Sequence, residues 1–488
     1  MGMKRRALRA WGVVALTLTG VGPAWADGYE NVPIGSRTAA MGGVGLAGGF
    51  DSAMPTLNPA GLARLPGSVL SVSASVYRLS HVWVPAFTAD GPTIASPWGD
   101  LAVSQPGIDS SEISSFPSSI AYMLHFGSEA HPMVVAGSLT VPRSVQRHFV
   151  RSYEFLGEGV AMRDNFATIV DEQQYVGALS WAGGFGRLRL GASLLGSYTA
   201  RVRSVTREGL IVLGTANFHR DQAAYSESLT SVDLSAVVGA QVDLTDFLRV
   251  GASVRAPSLH LWGHFKGAED DTVLDAQTDS FVSTTQIEGE AVRGMPLRVG
   301  IGVEVFGERW SVAADGGLFI PRSGEYNTSG RVLSSSIGTA DDRQDVEDEV
   351  SIDEPTRVVL DLGLGAEVRV TESNWLRLGV FTDFSAGAPA DEALTTITGR
   401  RPSPRHLFSF PINKVGGSLG WGTKVAFVDT TLGVVGSYGS GQTLRYVPDQ
   451  RYSGATPLEA TGAKTYEVMA FLSAALDLSE GAGLLSQL

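Results

Sequence analysis

Polar and apolar residues alternate along most of this chain. In Ser68–Val84, Leu70, Val72, Ala74 and Val76 fall on one face and Ser71, Ser73, Ser75 and Tyr77 on the other. A period of two marks a β-strand with one apolar and one polar side. In Arg187–Val205, Leu188, Leu190, Ala192, Leu194, Tyr198, Ala200 and Val202 oppose Arg187, Arg189, Ser193, Ser197, Thr199, Arg201 and Arg203. In Ser231–Leu244, Val232, Leu234, Ala236, Val238, Ala240, Val242 and Leu244 share a face. Such runs outlast the ordinary strand of a soluble protein, roughly 5–6 residues.

Fourteen strands are predicted on this pattern. The first seven are Ser68–Val84, Ser118–Phe126, Met133–Val141, Gln174–Ala182, Arg187–Val205, Tyr225–Leu244 and Leu248–Phe265. The last seven are Ile287–Val305, Trp310–Ile320, Arg357–Val370, Trp375–Ser385, Lys414–Phe427, Thr430–Tyr438 and Thr465–Leu478. Connections after even-numbered strands are short, such as Gly183–Gly186 and Val428–Asp429. Those after odd-numbered strands are long, such as Pro85–Pro117, Pro142–Gln173, Pro321–Thr356 and Ala386–Asn413. Short turns at one rim, long loops at the other and an even strand count are the mark of an outer-membrane barrel. No open strand edge survives in hydrocarbon, so the sheet must close. The predicted fold is all-β: a 14-stranded antiparallel transmembrane β-barrel over residues 68–478, apolar face to lipid and polar face to the lumen, with 479–488 as a C-terminal tail.

The stretch Gly35–Pro66 breaks the pattern. It lacks period-two alternation, and Gly42, Gly43, Gly45, Gly48 and Gly49 would each cost a helix roughly 1 kcal/mol. Asn58-Pro59 favours a tight turn. Compact irregular backbone of this kind needs an enclosure to satisfy its amides and carbonyls. Residues 27–67 are therefore expected to fold inside the barrel as an N-terminal hatch. Before them, Lys4, Arg5, Arg6 and Arg9, the apolar run Trp11–Gly22 and Ala24-Trp25-Ala26 form a secretory signal peptide over 1–26, which starts the mature chain at Asp27.

Removing four basic residues takes the formal net charge from −13 to −17. Acidity of this order argues against a nucleic-acid partner. The chain has no cysteine, so disulfide and thiol chemistry are excluded. No other run approaches a transmembrane helix in length.

Three motifs carry a resemblance. Gly35-Ser-Arg-Thr-Ala-Ala-Met-Gly-Gly43 is followed by Asn58-Pro59-Ala60-Gly61-Leu62; Val250-Gly-Ala-Ser-Val-Arg-Ala-Pro257 is followed by Gly267; and Pro296-Leu-Arg-Val-Gly-Ile-Gly302 is followed by Trp310 and Ala314-Asp315. With these the chain resembles the FadL-type family of outer-membrane transporters for long-chain fatty acids and other hydrophobic compounds. The resemblance implies a monomeric barrel in the cell outer membrane, surrounded by outer-membrane lipid and lipopolysaccharide, that takes up a hydrophobic ligand passively, without a cofactor and without enzymatic chemistry. It makes Asn58, Pro59, Ala60 and Gly61 the hatch motif. It also implies sideways release at a kink in the third strand, where Gly137 is the candidate for the lateral gate. A barrel of the same fold could instead be a docking platform for secreted or surface proteins.

The polar face carries Arg187, Arg189, Arg201, Arg203, Arg249, Arg255, Arg298, Arg369 and Arg377, interleaved with Asp233, Asp243, Glu304, Asp315, Asp361, Glu367 and Asp383. These charges can brace the wall through ion pairs, or an arginine among them can grip a ligand carboxylate bidentately. Arg189, Arg255 and Arg298 are the substrate-binding candidates. The acidic run Asp341–Glu354 is expected as a solvated loop, and Phe149, Tyr153, Phe155, Leu156, Phe166 and Ile169 as a greasy landing site or a small loop core. Gly416-Gly417-Ser418-Leu419-Gly420 matches the G-x-S-x-G string but sits in a strand, without the sharp strand-to-helix turn that a nucleophilic serine needs. His260 and His264 stand roughly 13 Å apart along a strand, so no metal site is expected.

Overall fold

The computed structural model describes residues 28–31, 34–85, 94–96, 99–101, 108–128, 131–157, 160–213, 217–275, 281–338, 343–353, 356–387, 411–446 and 458–479. The expected signal peptide and the tail beyond residue 479 lie outside the described residues.

Fourteen antiparallel strands form one closed ring. They are β1 (Val69–Val84), β2 (Ile108–Ser128), β3 (His131–Gly157), β4 (Val160–Phe185), β5 (Leu188–Leu213), β6 (Asn217–Asp243), β7 (Leu248–Arg255 and Leu259–Asp275) and β8 (Phe281–Arg293 and Leu297–Phe306). They continue with β9 (Trp310–Ile320 and Tyr326–Gly338), β10 (Arg343–Asp353 and Val359–Thr371), β11 (Asn374–Asp383), β12 (Ile412–Val425), β13 (Val428–Tyr446) and β14 (Leu458–Asp477). The ring closes where β1 pairs with β14, from Val69 opposite Asp477 to Trp83 opposite Lys464. A small hairpin, Ile94–Ser96 with Gly99–Leu101, stands apart from the barrel sheet.

The faces follow the alternation. Val72, Leu190, Leu194, Val238, Ile301, Leu364, Leu432 and Leu472 are exposed on the outside, whereas Ser71, Ser73, Ser193, Ser197 and Asp233 are buried inside. From Leu190 to Val202 the outward apolar row on β5 covers about 28 Å of bilayer normal, at roughly 3.3 Å per residue and a tilt near 45°. That height matches the apolar band of an outer-membrane barrel, about 25 Å. Tyr77 departs from its expected face. The ladder shifts between Ser75 and Tyr77, and this extra residue turns Tyr77 outward, where it is 65% exposed, and Arg78 inward.

The long loops expected after odd-numbered strands are in large part more strand. Pro142–Gln173 is the outer half of β3 and β4, paired from Arg143 opposite Gln174 to Gly157 opposite Val160. Phe149 and Phe166 are buried there, so these two rings do not form an exposed landing site, and Ile169 faces out. Most of the acidic run is likewise strand, the first segment of β10. Its Glu347 meets Arg331 at 2.6 Å with both side chains exposed, the kind of surface pair that adds little stability.

Adjacent strands break along one line. The pairings Arg255–Arg298, Leu297–Ile320 and Phe319–Val359 place these residues in one row across β7 to β10. Each of the four strands is interrupted just beyond the row. Pro257, Pro296 and Pro321 lie in the interruptions. Proline offers no amide to a ladder, which is why it collects at such points.

Candidate functional site

The segment Gly35–Leu65 lies against the inner wall. It holds two short helices, α1 (Arg37–Ala40) and α2 (Met54–Leu57), and a 3-10 helix, Pro59–Arg64. Ala40, Met41, Leu46, Met54, Ala60 and Leu62 are fully buried. Asn58 caps the 3-10 helix, its Oδ1 accepting from the Ala60 amide at 3.2 Å. Its Nδ2 donates to the Leu46 carbonyl at 2.7 Å and to the Ala240 carbonyl of β6 at 3.2 Å. Strand glycines admit this backbone. A Cβ on Gly191 would sit 2.4 Å from the Pro59 carbonyl carbon, and one on Gly251 would sit 1.9 Å from the Leu46 oxygen. Asn58→Ala is expected to cost about 1–3 kcal/mol, the penalty for leaving buried partners unsatisfied. Denaturant unfolding of the refolded barrel would measure it; an unchanged midpoint would mean that this network adds no stability.

A chain of charges runs across the lumen beneath this segment. Asp243 accepts from Arg64 and Arg189 at 2.7 Å each and from Arg249 at 2.8 Å. Arg249 reaches Glu304 at 2.6 Å, and Glu304 reaches Arg37 at 2.7 Å. Arg37 also contacts Glu367 at 3.2 Å, which holds Arg377 at 2.6 Å. Arg377 then donates to the Thr431 hydroxyl at 2.9 Å. Arg189 is thus committed to Asp243. Arg187 and Arg369 leave the polar lumen altogether: Arg187 is exposed beside Asp246, and Arg369 donates to the Glu372 carbonyl in a turn.

Above lies a cavity of about 190 Å³. Ile34, Leu57, Phe319, Phe381, Val435 and Met469 supply apolar wall, and Glu30, Asn31, Arg78, Arg298, Asp315 and Asp361 supply polar groups. Asp315 accepts from the Gly45 and Leu46 amides at 2.6 and 2.8 Å, which ties the cavity floor to the inner segment. Arg78 and Lys414 both meet Glu467, at 3.1 Å each. Arg255 and Arg298 face each other across β7 and β8. Arg255 is ion-paired with Glu30. Burial alone would raise the Glu30 carboxyl, but Arg255 and Arg298 override this and hold it below the usual carboxylate range. Arg298 has no partner for its buried Nε, and its guanidinium lies 5.5 Å from the centre of the Phe319 ring.

The wall beside the cavity is split. β2 and β3 pair from Ser128 opposite His131 to Ser119 opposite Thr140, and no further. Two residues on, that register sets Pro117 opposite Pro142, so neither strand has an amide to offer there. Asn31 fills the place of the missing partner. Its amide donates to the Pro142 carbonyl at 3.0 Å, its Nδ2 donates to the Ser144 carbonyl at 3.2 Å, and its Oδ1 accepts from the Ser144 amide at 3.0 Å. The bend expected at Gly137 is not there. Gly137 is paired on both sides, with Tyr122 and Leu179, and nothing lies within 4 Å of a Cβ built on it. It lies on the outward side of an unbroken ladder, and the irregularity comes between Thr140 and Arg143. The sequence offered one signal for this: the second and third predicted strands stop at Ser118 and Val141, each next to a proline. Glu30 and Asn31 had none, because they precede all periodic sequence. Ser418 of the G-x-S-x-G string donates to the Ala40 carbonyl at 2.8 Å, a contact that fastens the inner segment.

No family model matches the sequence, and no curated protein matches it. Solved structures do. A FadL homologue of Pseudomonas aeruginosa is 14% identical, with 92% of this chain and 99% of that one covered at a TM-score of 0.55. The toluene transporter TodX of Pseudomonas putida is also 14% identical, with 91% and 98% covered at a TM-score of 0.56. The chain has the FadL-type barrel fold.

Proposed function

We propose that this barrel is a passive channel of the cell outer membrane for small hydrophobic molecules, working as a single barrel within outer-membrane lipid and lipopolysaccharide. Cargo leaves water at the long-strand end, rests in the cavity among Phe319, Phe381, Val435 and Met469, and departs sideways between β2 and β3 when Asn31 withdraws. The segment 27–67 acts as the hatch, anchored through Asn58, Pro59, Ala60 and Gly61. The observation that carries this reading is the adjacency of an apolar cavity to a wall split whose seal, Asn31, also lines the cavity. In hydrocarbon an unpaired backbone group costs several kcal/mol, so such a split persists only while something covers it. The cavity volume favours compact cargo: about 150 Å³ is enough to hold benzene. A long-chain fatty acid would enter by its head, with the tail trailing. Arg298 is the best placed of the three arginine candidates to meet a head group.

Joining the split tests the route. Pro117→Val with Pro142→Val restores both amides and lets the ladder continue. Efflux of a hydrophobic dye from proteoliposomes should fall at least tenfold while dye binding in detergent persists. Undiminished efflux would move the exit away from this seam.

A further inference from the structure

Arg255 and Arg298 are a direct cross-strand pair. Like charges placed directly opposite destabilise a sheet, and here both are more than nine-tenths buried, at 5% and 8% exposure. Both guanidiniums lie against the same ring, Phe319, at 5.9 and 5.5 Å. Such a pair calls for an anion. The protein supplies one, Glu30, which bonds Arg255, while Arg298 makes no hydrogen bond or ion pair among the described residues. The remaining acids facing Arg298 are Asp315 and Asp361. One Asp315 oxygen is committed to the Gly45 and Leu46 amides, and Asp361 accepts from the Phe384 amide at 2.9 Å. The Glu30 side chain, 30% exposed, opens onto the cavity. Its neighbour in the chain is Asn31, the seal of the split wall.

We infer that Glu30 is a tethered stand-in for the anionic head of a ligand, so that a carboxylate-bearing hydrophobic molecule opens the wall by displacing it. The inference rests on the channel reading above and gives the cargo a class: compact, apolar, with one carboxylate. The ligand's carboxylate takes the arginine pair in the bidentate manner that a guanidinium favours. Glu30 moves out, and the adjoining residue leaves Pro142 and Ser144. A tethered competitor acts at an effective concentration in the millimolar range, so its removal strengthens carboxylate binding.

Benzoate and its uncharged isostere nitrobenzene separate the charge from the ring. Binding of each is measured by calorimetry on the refolded full-length barrel, with its heat-modifiable migration as the control for folding. In Glu30→Gln the ratio of benzoate to nitrobenzene affinity should rise at least tenfold. In Arg298→Met it should fall at least tenfold. Saturating benzoate should also speed amide exchange at Ser144 tenfold in the unaltered protein. A ratio that Glu30→Gln leaves unchanged, with nitrobenzene still bound, overturns the inference and leaves the channel reading standing. Unaltered exchange at Ser144 overturns the link between head group and wall. If neither compound binds to any folded variant, the channel reading fails and takes this inference with it.

Discussion

Replacing Arg37 with methionine should unfasten the inner segment and turn a quiet barrel into a conducting one. Arg37 is 4% exposed and bonds four groups: Glu304, Glu367, the Ser311 hydroxyl and the Gly48 carbonyl. It is the one residue of the inner segment that joins β8 to β10 through charge. Breaking a buried ion pair costs about 3–5 kcal/mol, because it strands a charge in a dry place. Glu304 keeps Arg249 and Glu367 keeps Arg377, so the low end, about 3 kcal/mol, is expected. At 1.4 kcal/mol per tenfold, the released state of the segment gains roughly a hundredfold in population. Planar-bilayer recordings should show frequent openings where the unaltered barrel shows few. A variant as silent as the parent would mean that the segment is held by packing alone.

The second large effect is on the outer face. Leu194 is 51% exposed and lies within about 5 Å of the middle of the outward apolar row of β5, so in a bilayer it meets acyl chains. Leu194→Arg should destabilise the folded barrel by about 2–4 kcal/mol, the depth-dependent cost of a cation at the midplane. Thr206→Arg, on the same strand and face but above the apolar belt, should cost less than about 1 kcal/mol. Both are read by denaturant titration in lipid vesicles. Equal costs would place the bilayer elsewhere on the wall.

How much of this was legible in the sequence depends on which solvent each face meets. Alternation is visible where one face is lipid and the other is lumen, as at Leu190 to Val202. Beyond the bilayer both faces are wet. Glu208 and Arg220 form an ion pair on the projecting half of β5 and β6, Lys266 and Glu288 another on β7 and β8, and the period of two fades while the backbone ladder continues. Asp341–Glu354 and the part of Pro142–Gln173 beyond the seam looked like loops for that reason. Tyr77 was misassigned because one bulged residue reverses every face beyond it. The arginines of the site were visible as polar positions. Their opposition depends on the register between β7 and β8, which no single strand encodes. Their anion comes from residue 30, in aperiodic backbone, and the open seam needed the pairing of two prolines 25 positions apart (117 and 142).

The row of interruptions across β7 to β10 hinges that side of the wall, whereas β3 to β6 run without interruption into the projecting sheet. Below it, the inner segments of these four strands are paired without interruption. Above it, the outer segments of the same four strands hang on joints where the ladder is interrupted. Deformation of these outer segments should be taken up in those joints before it reaches the inner ones. The outer segments of β7 to β10 should therefore lose amide protection before their inner segments. In the same terms, Arg255, Arg298 and Phe319 lie on the stiff side of the joint, where a ligand site can hold its geometry while the mouth above it moves.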